Sequence, residues 1–113
     1  MATRYYISLP DPAKARGHGA FAFTSQGADA LAAELQDALR GSALFERWRA
    51  AQDDPDAVDP ALGATDPSAT VKGEHDDLHV DLIATTTLPG AAFKHRLRLL
   101  AGHAWELRDV SAA

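Results

Sequence analysis

The segment from His75 to Asp81 holds the densest set of side chains that could do chemistry. It reads His-Asp-Asp-Leu-His-Val-Asp. Alternate residues of a strand point to the same side and lie about 7 Å apart, close enough for two side chains to share a metal ion. His79 could therefore bind an ion with Asp77 or with Asp81, but further ligands would have to come from histidines elsewhere in the chain. We predict an exposed strand face and its turn here, with no resident metal and no cofactor.

The segment from Lys14 to Gly19 is the second candidate. Lys14, Arg16 and His18 are potentially cationic, and the glycines between them can turn backbone amides towards an anion. The glycine spacing matches the letters of a dinucleotide fingerprint, but that fingerprint must follow a strand and open a helix, whereas a strand is expected to follow here. The segment is either a generic anion or carboxylate site or an ordinary flexible connection.

Several reaction classes lack the residues that they require. The sequence contains no cysteine, which excludes disulfides, thiolate metal sites and a cysteine nucleophile. It contains no Gly-x-Ser-x-Gly turn for acyl transfer. The acidic residues after Asp53 lack the glycine and the closing glutamate of a helix-loop-helix calcium site.

The charge of the chain is unevenly distributed along its length. The net charge is −5, and the segment from Asp53 to Asp81 carries nine acidic residues against Lys72 alone, so it contributes −8 and the remainder +3. A phosphate backbone would repel such a chain, so we expect no nucleic-acid partner. No apolar stretch reaches 18 residues, and the first residues lead directly into a strand pattern, so we expect no membrane partner and a cytoplasmic location. The excess of alanine and arginine is typical of a GC-rich bacterial genome.

Alternation of apolar and polar residues predicts up to five strands. The first two are expected to pair with each other, and the Asp76-Asp77 region is expected to form the turn between the next two. In the strongest pattern, Leu78, Val80, Leu82 and Ala84 point to one side. The predicted strands cover residues 4–9, 20–24, 69–74, 78–85 and 103–110.

Apolar spacing of three and four residues predicts three helices. The first is capped by Thr24 or Ser25 and runs to Arg40, the second follows Ser42 and contains Phe45 and Trp48, and the third follows Thr87 and ends at Gly102. On the third helix, Lys94, Arg96 and Arg98 are expected to face solvent. Residues 53–68 contain three Asp-Pro pairs and predict a long acidic loop, with one helical turn after Asp59-Pro60.

These elements predict one α+β domain spanning residues 1–113. We expect a two-layer sandwich, with a mostly antiparallel sheet of four to five strands and helices packed on one face. The uncovered face should display a polar set of side chains. Its predicted members are Arg4, Tyr6, Ser8, Thr24, His79, Asp81, Thr85, Glu106 and Arg108.

Two classes of function follow from this architecture. The first is a non-catalytic protein that binds a protein partner or its own copy, through the open sheet face or through the helix with Phe45 and Trp48. The second is an enzyme or small-ligand binder, in which cationic groups of the Lys14–His18 loop hold an anionic molecule. Tyr6, His79 and Asp81 complete that second site, with His79 as acid or base.

Overall fold

The chain folds into a four-stranded antiparallel sheet with helices packed against it. The computed structural model describes residues 2–15, 19–76 and 78–113. The strands are β1 (Thr3–Leu9), β2 (Thr70–Asp76), β3 (His79–Thr86) and β4 (Glu106–Ala112). The helices are α1 (Pro12–Ala15), α2 (Ala28–Arg40), α3 (Ala43–Ala50) and α4 (Gly90–Ala101), and short 3₁₀ turns occur at Pro55–Ala57 and Pro60–Gly63.

The order of the strands across the sheet is β2-β3-β1-β4. β2 and β3 form a hairpin, and β1 lies between β3 and β4 although it comes first in the chain. The register of β1 against β4 shifts between Tyr6 and Ile7. Such a bulge adds a residue to one strand and increases the local twist.

The core lies between the sheet and the helices. Along β3 the burial alternates strictly, with Val80, Leu82 and Ala84 buried. In β1, Tyr5 stacks on Phe93 of α4, with ring centroids 4.1 Å apart. α2 packs most closely on β2, because Gly73 has no side chain: a Cβ at this position would overlap the Ala28 carbonyl oxygen. This arrangement confirms the predicted α+β class and the predicted packing of helices on one face of the sheet.

The predicted strand over residues 20–24 is wrong. Phe23 makes only an isolated bridge, in which its N–H donates to the Leu100 carbonyl, and β1 pairs with β3 and β4 instead. The predicted caps are also wrong, because α2 begins after Gly27. The Thr24 and Ser25 amides donate to the carboxylate of Glu34. Phe23 is buried, as the alternation predicted, but it does not lie in a strand.

The β2–β3 hairpin is tighter than predicted. β2 continues through Asp76, which pairs with His79, so the connection contains only residues 77 and 78. Leu78 therefore does not join the buried side of β3. Its exposed fraction is 85%, because the turn carries it away from the core.

The prediction that Arg96 faces solvent is wrong. Its side chain is fully buried, and its guanidinium donates to the carbonyls of Ala38, Leu62 and Ala64. Those carbonyls belong to the end of α2 and to the loop after α3. Arg96 thus joins the long acidic loop to the helices.

Asp66 anchors the other end of the long loop. Its buried carboxylate accepts hydrogen bonds from the Thr86 hydroxyl and from the Thr87 and Ser68 amides. The predicted turn after Asp59-Pro60 is confirmed as the second 3₁₀ turn, in which the Asp59 carboxylate accepts from the Ala61 amide. The loop is therefore fixed to both layers of the fold.

The helices leave β4 uncovered. Leu107 and Val110 pair with the buried residues Ile7 and Tyr5, so they lie on the helix side, yet they are 38% and 47% exposed. Within the described ranges, none of the helices has the length and apolar character needed to cross a membrane.

Candidate functional site

The side of the sheet opposite the helices is the open face, and its side chains form rows across the strands. Residues paired between neighbouring strands project to the same side of a sheet. The pairing that places Tyr6 beside Ile83 and Asp109 also places Lys72 in the same row. The rows are Thr70, Thr85, Arg4 and Ser111; Lys72, Ile83, Tyr6 and Asp109; Glu74, Asp81, Ser8 and Glu106; and Asp76 with His79.

Two of the shallow grooves on this face are bounded by both Tyr6 and Ile83. We call the first the acidic groove; its volume is about 430 Å³ and its lining includes Tyr6, Glu74, Asp76, His79, Asp81, Ile83 and Arg108. We call the second the basic groove; its volume is about 470 Å³ and it is lined by Arg4, Tyr6, Thr70, Lys72, Glu74, Ile83 and Thr85. The open face is therefore divided by charge along the strand direction.

His79 lies between two carboxylates in the acidic groove. Its Nε2 is 3.4 Å from Asp81 Oδ1 and 3.8 Å from Asp76 Oδ2. One ligand atom from each of the three residues lies within 4.8 Å of the others. An imidazole with two carboxylates can act as a proton relay or hold a divalent cation.

The predicted site residues fall into two groups. The structure brings Tyr6, His79 and Asp81 together in the lining of the acidic groove. Lys14 instead lies exposed in α1, which packs against α4. Arg16 and His18, like the proposed ligand Asp77, lie outside the described residues. An anion site at the Lys14–His18 loop therefore stays a prediction.

Sequence reasoning missed Asp76 and Glu74 as neighbours of His79 and Asp81. The two-residue spacing identifies neighbours along one strand, whereas Asp76 and Glu74 lie on β2, directly opposite β3. A two-residue hairpin connection would have signalled this, because it places Asp76 opposite His79. The predicted turn at Asp76-Asp77 concealed that pairing.

Thr24 is the one predicted open-face residue that lies elsewhere. It is exposed beside Glu34 of α2 rather than in a strand. The other eight predicted members occupy the open face, since their strand pairing or the groove linings place them there.

Two buried ionisable groups lie away from the grooves. Hydrogen-bond donors from Thr87, Thr86 and Ser68, led by the Thr87 amide, lower the pKa of Asp66 against the opposing effect of burial. Burial lowers the pKa of Arg96 from its ordinary value, and the Phe45 ring centroid lies 5.8 Å from its guanidinium carbon. The Arg96 Nη atoms donate to three backbone carbonyls, while its Nε has no partner among the described residues. Asp66 accepts from one hydroxyl and two amides, so we assign both groups a role in stability.

His95 of α4 packs against the aromatic rings of α3. Its ring centroid is 4.4 Å from that of Trp48, and its buried Nδ1 has no hydrogen-bond partner within the described ranges. Burial, followed by the charges of Arg96 and Arg98, lowers its pKa below 6.5. The predicted interaction helix with Phe45 and Trp48 therefore turns its aromatic side chains towards α4, because Phe45 is buried as well.

Comparison with known protein families, with curated proteins and with solved structures finds no match for this chain.

Proposed function

We propose that this chain is a non-catalytic interaction domain that pairs with a second copy of itself through the open face. The observation that carries the proposal is the division of this face into oppositely charged halves around Tyr6 and Ile83. A surface of this kind is complementary to itself when one copy is rotated by half a turn.

The charges of the two halves differ in sign. The half containing the acidic groove holds four carboxylates against Arg108, whereas the other half holds Arg4 and Lys72 against Asp109. Among the described residues, Arg4 and Lys72 form no salt bridge within 4.0 Å. These two cations are therefore available to a partner. The four carboxylates are Glu74, Asp76, Asp81 and Glu106.

A two-fold axis between the two faces, running across the strands, brings these halves together. If the axis lies between the row of Lys72 and the row of Glu74, each Lys72 meets Glu74 of the second copy. Tyr6 and Ile83 then lie near the centre, where partly buried apolar side chains contribute most to an interface. The two sheets would pack about 10 Å apart, as in other aligned sheet pairs.

The size of the face sets the area that this association can bury. Four strands of seven or eight residues span about 19 Å by 25 Å. Two such faces bury about 1,000 Å², which is at the lower end for specific interfaces. We therefore expect a dissociation constant in the micromolar range and a dimer that weakens as salt is added.

The same charge distribution favours self-association over the binding of an anionic small molecule. His79 and Asp81 are required by the second function class. They lie in a groove whose lining holds three acidic residues, Asp81 among them, against one basic residue, Arg108. A carboxylate or phosphate entering there would be repelled. A site at the Lys14–His18 loop remains an alternative, and binding of inorganic phosphate at that loop would support it.

Sedimentation velocity over about 1 to 300 µM protein tests the proposal, because this range brackets a micromolar dissociation constant. We expect a monomer–dimer equilibrium in the wild-type chain and a monomer in Ile83→Glu. Val110→Glu is the matched control, since Val110 is an exposed apolar residue on the opposite side of the sheet. A wild-type monomer at every concentration would overturn the proposal, as would a dimer that Val110→Glu disrupts and Ile83→Glu leaves intact.

A further inference from the structure

We propose that Asp76, His79 and Asp81 form a binding site for a divalent transition-metal ion of the Zn²⁺ class, at the hairpin end of the acidic groove. The proposal goes beyond self-association and does not depend on it. It rests on the spacing of the three side chains, on their chemistry and on their fixed position in the β2–β3 hairpin.

The separations of His79 from the two carboxylates are close to those that a bound ion imposes. Two ligand atoms at about 2.0–2.2 Å from a tetrahedral Zn²⁺ lie about 3.3–3.6 Å from each other. His79 Nε2 already lies 3.4 Å from Asp81 Oδ1 and 3.8 Å from Asp76 Oδ2. The Asp76 side chain is 72% exposed, so a small rotation can close the remaining gap.

The donor set distinguishes this cluster from an ordinary acidic patch. Imidazole nitrogen and carboxylate oxygen together suit Zn²⁺ and Mn²⁺, whereas Mg²⁺ and Ca²⁺ prefer oxygen alone. In the part of the chain that the structure describes, no lysine or arginine lies within 4.0 Å of the Asp76 or Asp81 carboxylates. Arg108 lines the same groove, but its guanidinium is 3.0 Å from Glu106. Among the described residues, the two carboxylates therefore share the His79 imidazole as their cationic neighbour within 4.0 Å.

The backbone holds the three ligands in register. Asp76 lies opposite His79 across the hairpin, and Asp81 follows His79 by two residues on the same side of β3. Glu74 lies opposite Asp81 and lines the same groove, so it can supply a fourth oxygen or a hydrogen bond to a metal-bound water. A site built across two paired strands needs little reorganisation to bind an ion.

Isothermal titration with Zn²⁺, combined with NMR of the histidine side chains, tests the site. We expect 1:1 binding that perturbs the His79 imidazole, and we expect His79→Ala to weaken binding by at least about tenfold, since loss of even an outer partner of a ligand costs 10- to 100-fold. Asp81→Asn should weaken it similarly while keeping the shape of the side chain. His75→Ala is the matched control, because His75 lies on the same hairpin but pairs with the buried Val80 and so faces the helix side.

Three results would overturn the proposal. They are equal weakening of Zn²⁺ binding by His75→Ala and His79→Ala, Zn²⁺ binding that none of these substitutions changes, and no binding of Zn²⁺ at all. The acidic groove also faces the second copy in the proposed dimer, so Zn²⁺ should shift wild-type protein towards the monomer. This shift rests on the proposed function, whereas the effects of the His79, Asp81 and His75 substitutions on Zn²⁺ binding do not.

Discussion

On the helix side of the sheet, two buried charged groups bind other parts of the chain, whereas on the open face two cations have no ion-pair partner among the described residues. Arg96 donates to three carbonyls from distant parts of the sequence. Asp66 accepts from Thr86 and Thr87, which are distant in sequence, and from the nearby Ser68 amide. Arg4 and Lys72 form no ion pair among the described residues. Arg96 and Asp66 therefore stabilise the fold from within, whereas Arg4 and Lys72 are available to pair with acidic groups of a binding partner.

This contrast predicts that the two faces respond differently to substitution. Changes on the helix side should lower the free energy of unfolding and leave assembly unchanged in the protein that remains folded. Changes on the open face should alter assembly with little effect on stability.

The largest loss of stability is expected for Arg96→Met. It leaves the carbonyls of Ala38, Leu62 and Ala64 without their donor in a buried environment. Each unsatisfied group costs about 1–3 kcal/mol, so we expect a loss of about 3 kcal/mol or more. Urea denaturation measures it, and Arg98→Met, an exposed arginine of the same helix, should change stability little. Equal effects of the two variants would refute the assigned role of Arg96.

Gly73→Ala should have the next largest effect. The new methyl group would meet the Ala28 carbonyl oxygen, so α2 must move away from β2. Overpacking of this kind costs about 1–3 kcal/mol. Gly19→Ala is the control, because nothing lies within 4 Å of a Cβ at that position. Thermal denaturation should show a lower midpoint for Gly73→Ala only.

Asp66→Asn should cost less, about 1–2 kcal/mol, because the amide retains one acceptor oxygen. The lowered pKa of Asp66 also makes a prediction about pH. Above pH 3.8 the folded chain keeps the full benefit of the ionised carboxylate, and this benefit is lost as the pH falls through the lower folded pKa. The free energy of unfolding of the wild type should therefore fall more as the pH is lowered below 3.8 than that of Asp66→Asn. Asp53→Asn, which changes an exposed carboxylate of the same loop, should show the same fall as the wild type.

The smallest effect is expected for His95 in mildly acidic solution. Protonating its imidazole in the folded chain would place a proton on the buried Nδ1, which has no acceptor within the described ranges. The unfolded chain therefore takes up this proton first, and stability should fall as the pH drops below 6.5. His95→Phe should flatten the dependence of stability on pH between 7 and 5, whereas exposed His103→Phe should not.

The two faces also differ in how far the sequence predicts them. Strict alternation in β3 indicated which side chains are buried, because a strand with one covered face leaves that pattern directly in the sequence. The same alternation at Phe21 and Phe23 wrongly predicted a strand, because these residues lie in a turn and an isolated bridge. Arg96 could not be predicted, since its three carbonyls come together only when α2, the loop and α4 pack.

The candidate site was predictable in part. His79 and Asp81 were expected on one side, because they lie two residues apart on a strand, and the structure places them so. The positions of Asp76 and Glu74 beside His79 and Asp81 depend on the hairpin register. An error of one residue in the predicted turn moves every side chain to the other face of the sheet. The division of the open face into acidic and basic halves required the strand order β2-β3-β1-β4, which the sequence does not indicate.

Mixing two charge-reversed variants tests the central claim most directly. In Arg4→Glu/Lys72→Glu both halves of the open face are acidic, and in Glu74→Lys/Asp81→Lys the acidic half becomes basic. Sedimentation velocity should show that each variant alone is a monomer and that an equimolar mixture forms a dimer of one copy of each. A mixture that stays monomeric while the wild type dimerises, or variants that dimerise alone as well as the wild type does, would contradict the account.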